Sequence, residues 1–135
     1  MAKTTIPDWI AKSEALLTAV TQESVQTLAR EANKSRFKGG KMPIDTGFLT
    51  NSMMAKIGSL PSGASAKPEN YNRMEWDSGP VTLVINSMDA GDTIFIGWTA
   101  EYARFMENRF GFMRSAAQRW PEFVDESVMQ LRVLK

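Results

Sequence analysis

The sequence predicts an α+β domain with a long N-terminal helix, a small antiparallel sheet with a central hairpin, and C-terminal helices packed on it. The chain has 135 residues, the length of one compact domain. Apolar residues recur at three- and four-residue steps near both ends, whereas β-branched residues concentrate at residues 81–86 and 93–98. Helices and strands grouped in this way along the chain are typical of α+β folds.

The first predicted helix covers residues 7–33. Thr5 is its candidate N-cap, and Pro7 followed by Asp8 suits a first helical turn. Placed on a helical wheel, polar residues such as Lys12 fall on one side. The other side is apolar and contains Trp9, Ile10, Leu16, Leu17, Val20, Leu28 and Ala32. We therefore expect a long amphipathic helix.

The middle of the chain predicts short elements and one long loop. A short helix is expected over residues 45–52, with Asp45 or Thr46 as its cap. A strand is expected over residues 53–57. Residues 58–80 are rich in Gly, Ser, Pro and Asn, and a loop of this length in a compact domain is usually functional or disordered.

The clearest predicted strands are residues 81–86 and 93–98, because both are rich in β-branched residues. The turn-forming residues 89–92 lie between them and predict an antiparallel hairpin. Helical segments are then expected at residues 100–108, at residues 112–120 and from Pro121 onward.

The composition excludes several classes of chemistry. The chain has no Cys and no His, which excludes disulfides, thiolate nucleophiles, Cys- or His-ligated metal sites and Ser–His catalysis. Its 16 basic and 15 acidic residues give a net charge of +1, so no overall field attracts nucleic acid or an anionic membrane. No apolar run has the length of a membrane span, and no signal peptide is recognisable. We expect a soluble, unexported chain with no catalytic residue, no cofactor and no metal ion.

One tripeptide, Asp45-Thr46-Gly47, is also found in dimeric aspartic proteases, where paired carboxylates activate water. The alternative is structural: Asp45 accepts backbone hydrogen bonds in a turn, and Gly47 permits a tight backbone. The structural interpretation is favoured because helices are predicted at both ends of the chain, and because bulky Phe48 follows the glycine. The basic residues Lys34, Arg36, Lys38 and Lys41 are expected to form a solvated linker.

Methionine and tryptophan residues around the long loop form a candidate interface. Met53, Met54 and Met74 border this loop, and Trp76 lies within it. Methionine adapts to irregular protein surfaces, and aromatic residues dominate subunit interfaces. These four residues are therefore candidate contacts with a neighbouring subunit. The alternative is core packing for the methionines and packing on its own domain for Trp76.

Three segments resemble a family of small bacteriophage proteins, the neck and tail-completion (head–tail joining) proteins of long-tailed double-stranded DNA phages. Residues 43–52 are similar to its P-[VI]-D-T-G-x-L-x-x-S pattern, residues 102–107 to its Y-A-x-x-x-E, and residues 112–116 to its P-F-[LM]-R-P-A. The matching residues are Pro43, Asp45, Thr46, Gly47, Leu49, Ser52, Tyr102, Ala103, Glu107, Phe112, Arg114 and Ala116. The chain departs from the family pattern at Phe48, at residues 108–110 and at Ser115.

The resemblance implies a non-enzymatic structural protein of the virion, assembled in the host bacterial cytoplasm. It implies a homo-oligomeric ring at the head–tail junction, through which the genome passes. The implied partners are other copies of the chain, neighbouring neck, head-closure and tail proteins, and passing DNA contacted without sequence specificity. A tail terminator or a minor tail protein of the same virion is the alternative role. The motif residues would determine the fold: Leu49 would pack in the interior, and Tyr102 and Phe112 would bury large rings. Glu107 would be either a paired charge at the interface or a contact at a helix end.

Overall fold

The computed structural model describes residues 6–44, 47–64, 66–69, 71–72, 74–89 and 91–133. Its elements confirm the predicted α+β class. In chain order they are α1 (Ile6–Ala32), a 3₁₀ turn (Arg36–Lys38), α2 (Phe48–Asn51), β1 (Met53–Ile57), α3 (Gly79–Asn86), β2 (Ile94–Trp98), α4 (Ala103–Phe110), α5 (Phe112–Gln118) and α6 (Trp120–Val133). The predicted cap of the first helix, Thr5, lies outside the described residues.

The long helix α1 packs antiparallel to α6 along its C-terminal half. Ser24 lies level with Ser127, and the two buried hydroxyls are hydrogen-bonded at 3.1 Å. Seven residues further along α1, Glu31 accepts a hydrogen bond from Nη1 of Arg119 at 3.0 Å. Ser24 and Ser127 are both short and buried, and short side chains at a contact let two helices approach closely. Residues 6–17, by contrast, are all exposed.

Arg119 immediately precedes α6 and also bonds to the first turn of that helix, since its Nε donates to Oε2 of Glu122 at 3.2 Å. This hydrogen bond lowers the pKa of Glu122 and raises that of Arg119. With a lowered folded-state pKa, Glu122 contributes stability above its unfolded-state pKa and loses that contribution as the pH falls through the folded value. Both side chains are exposed, so the effect on overall stability is small.

The sheet has two strands, and its pairing differs from the predicted hairpin. Strand β1 has the predicted bounds, and β2 begins one residue later than predicted. The two strands pair antiparallel with each other, from Met53 opposite Trp98 to Ile57 opposite Ile94. The partner of β2 is therefore a strand about forty residues earlier in the chain, not the segment that immediately precedes it.

That preceding segment is the helix α3, so the predicted strand over residues 81–86 is wrong. Pro80 lies in the first turn of α3, where its missing N–H costs no hydrogen bond. Val81 and Ile85 are four residues apart and both buried, whereas Leu83 is 74% exposed. Short apolar runs of this kind do not distinguish a strand from a helix by periodicity. The segment between α3 and β2 is the predicted turn region, and in it the N–H of Asp89 donates to Oδ2 of Asp92.

The C-terminal helices follow the prediction with small shifts. Helix α4 starts and ends later than expected, and α6 begins at Trp120, one residue before Pro121. Gly111 joins α4 to α5 with a φ of +68°, a conformation that favours glycine. Within the described ranges, no helix is both long and apolar enough to cross a membrane.

Candidate functional site

The three motif segments meet in one apolar cluster at the end of the domain where α1 ends. Leu49, Ala103 and Phe112, one residue from each segment, are all buried in this cluster. The Phe112 ring meets the Trp98 ring edge to face, with centroids 4.9 Å apart. Tyr102 packs at its margin, its ring centroid 6.2 Å from that of Phe48. The expected packing of the motif residues Leu49 and Phe112 is therefore confirmed.

Gly47 holds the first motif in place through its backbone. It is the N-cap of α2 with a φ of +85°, and a Cβ placed on it would lie 1.9 Å from the carbonyl oxygen of Met74. Its own carbonyl accepts hydrogen bonds from Oγ1 of Thr50 and Nδ2 of Asn51, both at 2.9 Å. The expected cap residues Asp45 and Thr46 lie outside the described residues, so their role stays a prediction.

Asn51 connects α2 to the long loop. Its Nδ2 donates to the carbonyl of Glu75 at 3.1 Å, and its Oδ1 accepts from the N–H of Asp77 at 2.8 Å. Between these two contacts, Trp76 is half-buried against the core cluster of α1, α3 and the sheet. The loop tryptophan thus packs on its own domain, the alternative to the expected contact with a neighbouring subunit.

The methionines of the candidate interface divide into two groups. Met53 is 5% exposed and belongs to the core, so the prediction that it contacts a neighbour is wrong. Met54 and Met74 are 48% and 52% exposed and remain candidate contacts. The alternation along β1 explains the difference, since successive side chains of a strand point to opposite faces.

The sequence allows two roles for Glu107, a paired charge at an interface or a contact at a helix end, and the structure shows the helix-end contact. Its Oε2 accepts a hydrogen bond from the N–H of Met113 at 2.7 Å, and its Oε1 accepts one from the N–H of Arg114 at 3.0 Å. The carboxylate on α4 therefore caps the first turn of α5 across Gly111. The Arg114 side chain is exposed, and Ala116 faces the other core cluster.

We expect Glu107→Ala to lower the free energy of unfolding by about 1–2 kcal/mol, the cost of losing a cap. Glu107→Gln keeps one acceptor oxygen and should lose less. Urea denaturation of both variants measures the difference, with exposed Glu101→Ala, six residues earlier in the chain, as the control. Equal stability of Glu107→Ala and the control would contradict the capping role.

One buried hydrogen-bonding residue of this region, Asn33, was not identified from the sequence. Asn33 is 5% exposed; its Oδ1 accepts from Nε1 of Trp98 at 2.9 Å, and its Nδ2 donates to the carbonyl of Thr50 at 3.4 Å. A tryptophan in a predicted strand is expected to need a hydrogen-bond acceptor for its ring N–H, but the sequence does not identify the residue that accepts. The motif residue Ser52 is buried as well, and its Oγ donates to the carbonyl of Leu49 at 2.6 Å.

A groove of about 680 Å³ lies beside the motif cluster. Its apolar lining comprises Phe37, Pro43, Ile44, Phe48, Leu49, Tyr102 and Met106. Its basic lining residues are Arg36, Lys41 and Lys67, and none of the described lining residues is acidic. The predicted solvation of the basic linker is confirmed, because Lys34, Arg36, Lys38 and Lys41 are all exposed. The groove offers apolar contacts at its base and positive charge at its edge.

Comparison with protein-family models, with curated proteins and with solved structures finds no match. The described residues contain no group of three or more acidic side chains placed to hold a metal ion. Three features of the described residues therefore bear on function: the motif cluster, the groove beside it and the exposed half of α1.

Proposed function

We propose that this chain is a non-enzymatic structural protein of a long-tailed phage virion, located at the head–tail junction. In this proposal it forms a homo-oligomeric ring that joins or completes the tail and lets the genome pass. Its partners are other copies of the chain and the adjacent neck, head-closure and tail proteins, with non-specific contact to passing DNA.

The observation that supports this proposal is the convergence of the three motif segments on one cluster. Leu49, Ala103 and Phe112 lie up to 63 residues apart in sequence and share one apolar cluster. Glu107 and Gly47 fix the backbone around it by a helix cap and a close approach. If the motif residues determine the fold of a family, the three motif segments are expected to pack against one another, as they do here.

Exposed apolar surface agrees with a role in assembly. Trp9 and Ile6, at the start of α1, are 63% and 76% exposed. A contiguous apolar patch on a soluble domain usually marks a surface that another molecule covers. A ring of identical subunits needs such a surface on every copy, because each subunit contacts two neighbours.

Interruption of the gene for this chain in the phage that encodes it tests the proposal. We expect filled heads and complete tails that are not joined, and we expect joining to return when the wild-type chain is supplied. Electron microscopy of the lysate distinguishes the alternative: tails of uncontrolled length would indicate a tail terminator. Normal, infectious particles without the chain would refute a role at the junction.

A further inference from the structure

The first twelve described residues of the chain form an uncovered amphipathic helix end. Five large apolar residues of this segment are 43–76% exposed: Ile6, Trp9, Ile10, Leu16 and Leu17. They fall within an arc of about 120° on the helix, with Ser13 among them, and we call this face the apolar strip. They leave roughly 500 Å² of apolar surface exposed, near the upper limit for one patch on a monomer.

The register of the helix pair places this strip beyond the body of the domain. Since Ser24 is level with Ser127 on antiparallel α6, the last described residue of α6 lies near residue 18 of α1. Residues 6–17 therefore extend about 18 Å past it, at 1.5 Å per residue.

The groove lies at the opposite end of the same helix. Its rim residues Arg36 and Phe37 follow the end of α1 by only a few residues, and Phe37 is 89% exposed. A helix of 27 residues is about 40 Å long, so the strip of one copy does not reach the groove of that copy. The two surfaces meet only when they belong to different copies.

The chemistry of the two surfaces is complementary. The strip supplies large apolar side chains, and the groove base is lined by Phe48, Tyr102 and Met106. Glu14 is exposed at one edge of the strip and Lys12 at the other, and the groove edge presents Lys41 together with other basic residues. A carboxylate beside the strip is attracted to this basic edge, which also orients the docked helix.

We propose that the apolar strip of one subunit docks in the groove of a second copy of this chain. The contact is head-to-tail, because two different surfaces meet, and such contacts generate closed rings when the rotation between subunits closes. This inference rests on the proposed ring and identifies the contact between its subunits. Burying the strip's roughly 500 Å² against a comparable area of the groove removes about 1,000 Å² from solvent in total, the lower bound for a specific interface.

A complementation experiment tests the head-to-tail contact. One variant disables the strip (Trp9→Glu with Leu17→Glu), and another disables the groove edge (Phe37→Glu with Lys41→Glu); all four positions are exposed. We expect each variant alone to be monomeric by native mass spectrometry. Mixed together they retain one intact strip and one intact groove, so we expect a heterodimer with one copy of each. Assembly of either variant alone, or the absence of the heterodimer, would overturn the inference.

Disulfide cross-linking gives a second readout, because the chain has no Cys of its own. Ser13→Cys lies within the strip, Lys41→Cys lies on the groove edge, and Ala11→Cys lies on the opposite face of α1 as the control. We expect Ser13→Cys to form a mixed disulfide with Lys41→Cys, and Ala11→Cys to form at least tenfold less. A dominant disulfide between two Ser13→Cys chains would mean that strips pair with each other, which overturns the inference.

Failure of the docking inference can be distinguished from failure of the proposed function. Rings seen by electron microscopy in the strip variant would overturn the docking inference and leave the proposed function standing. A chain that is monomeric inside the virion would instead refute the ring itself.

Discussion

Gly47→Ala is expected to destabilise the domain by on the order of 3–5 kcal/mol. A φ of +85° costs an L-residue with a side chain about 1–2 kcal/mol. The added Cβ would also lie 1.9 Å from the Met74 carbonyl oxygen, which is backbone and moves only if the loop held by Asn51 is displaced. Urea denaturation followed by tryptophan fluorescence measures the loss.

Gly39→Ala is the matched control for this prediction. Gly39 has a φ of +90°, and no atom lies within 4 Å of a Cβ built on it. We expect the free energy of unfolding of this variant to fall only by the conformational cost of about 1–2 kcal/mol. Equal losses in the two variants would show that the close approach of Gly47 to Met74 adds nothing.

Phe112→Ala is expected to lower the free energy of unfolding by about 3–5 kcal/mol, the usual cost of removing a buried aromatic ring. The Phe112 side chain is 2% exposed and packs edge to face on Trp98, so its removal leaves a cavity between α5 and the sheet. The wall of the groove is formed by the same cluster, and we expect ring assembly to fail as well.

Phe105→Ala is the control that tests whether the loss of stability in Phe112→Ala comes from the burial of the ring. Phe105 lies on α4 and is 64% exposed, so we expect a change within about 0.5 kcal/mol. Thermal denaturation of the two variants side by side is sufficient. A Phe112→Ala variant as stable as Phe105→Ala would refute the description of the cluster as a packed core.

Local patterns predicted the elements whose signals are unambiguous. Helix α1 was predicted from its long amphipathic repeat, and β1 has the bounds that were predicted for it. Helix α3 was predicted as a strand because Val81 to Ile85 is rich in β-branched residues, and the tertiary packing of Val81 and Ile85 overrides that preference. The pairing of β2 with β1 is a long-range contact, which no local signal specifies.

The candidate site was only partly predictable for the same reason. The packing of Leu49 and Phe112 was expected, but the bond of Asn33 to Trp98 joins residues 65 positions apart. For Glu107 the sequence offered two roles, and the positive φ of Gly111 turns α5 so that its first N–H groups face the carboxylate. The groove was not predicted, because its lining comes from separate segments of the chain.

The continuity of α1 has a geometric consequence for any assembly of this chain. A single unbroken helix connects the apolar strip to the segment that begins the groove rim, so the angle between the two surfaces depends on how many residues separate them. One residue more or fewer would turn the strip by about 100° about the helix axis and shift it by about 1.5 Å. In the proposed ring, the number of residues in α1 therefore fixes the angle from each subunit to the next, and this angle distinguishes a closed ring from an open spiral.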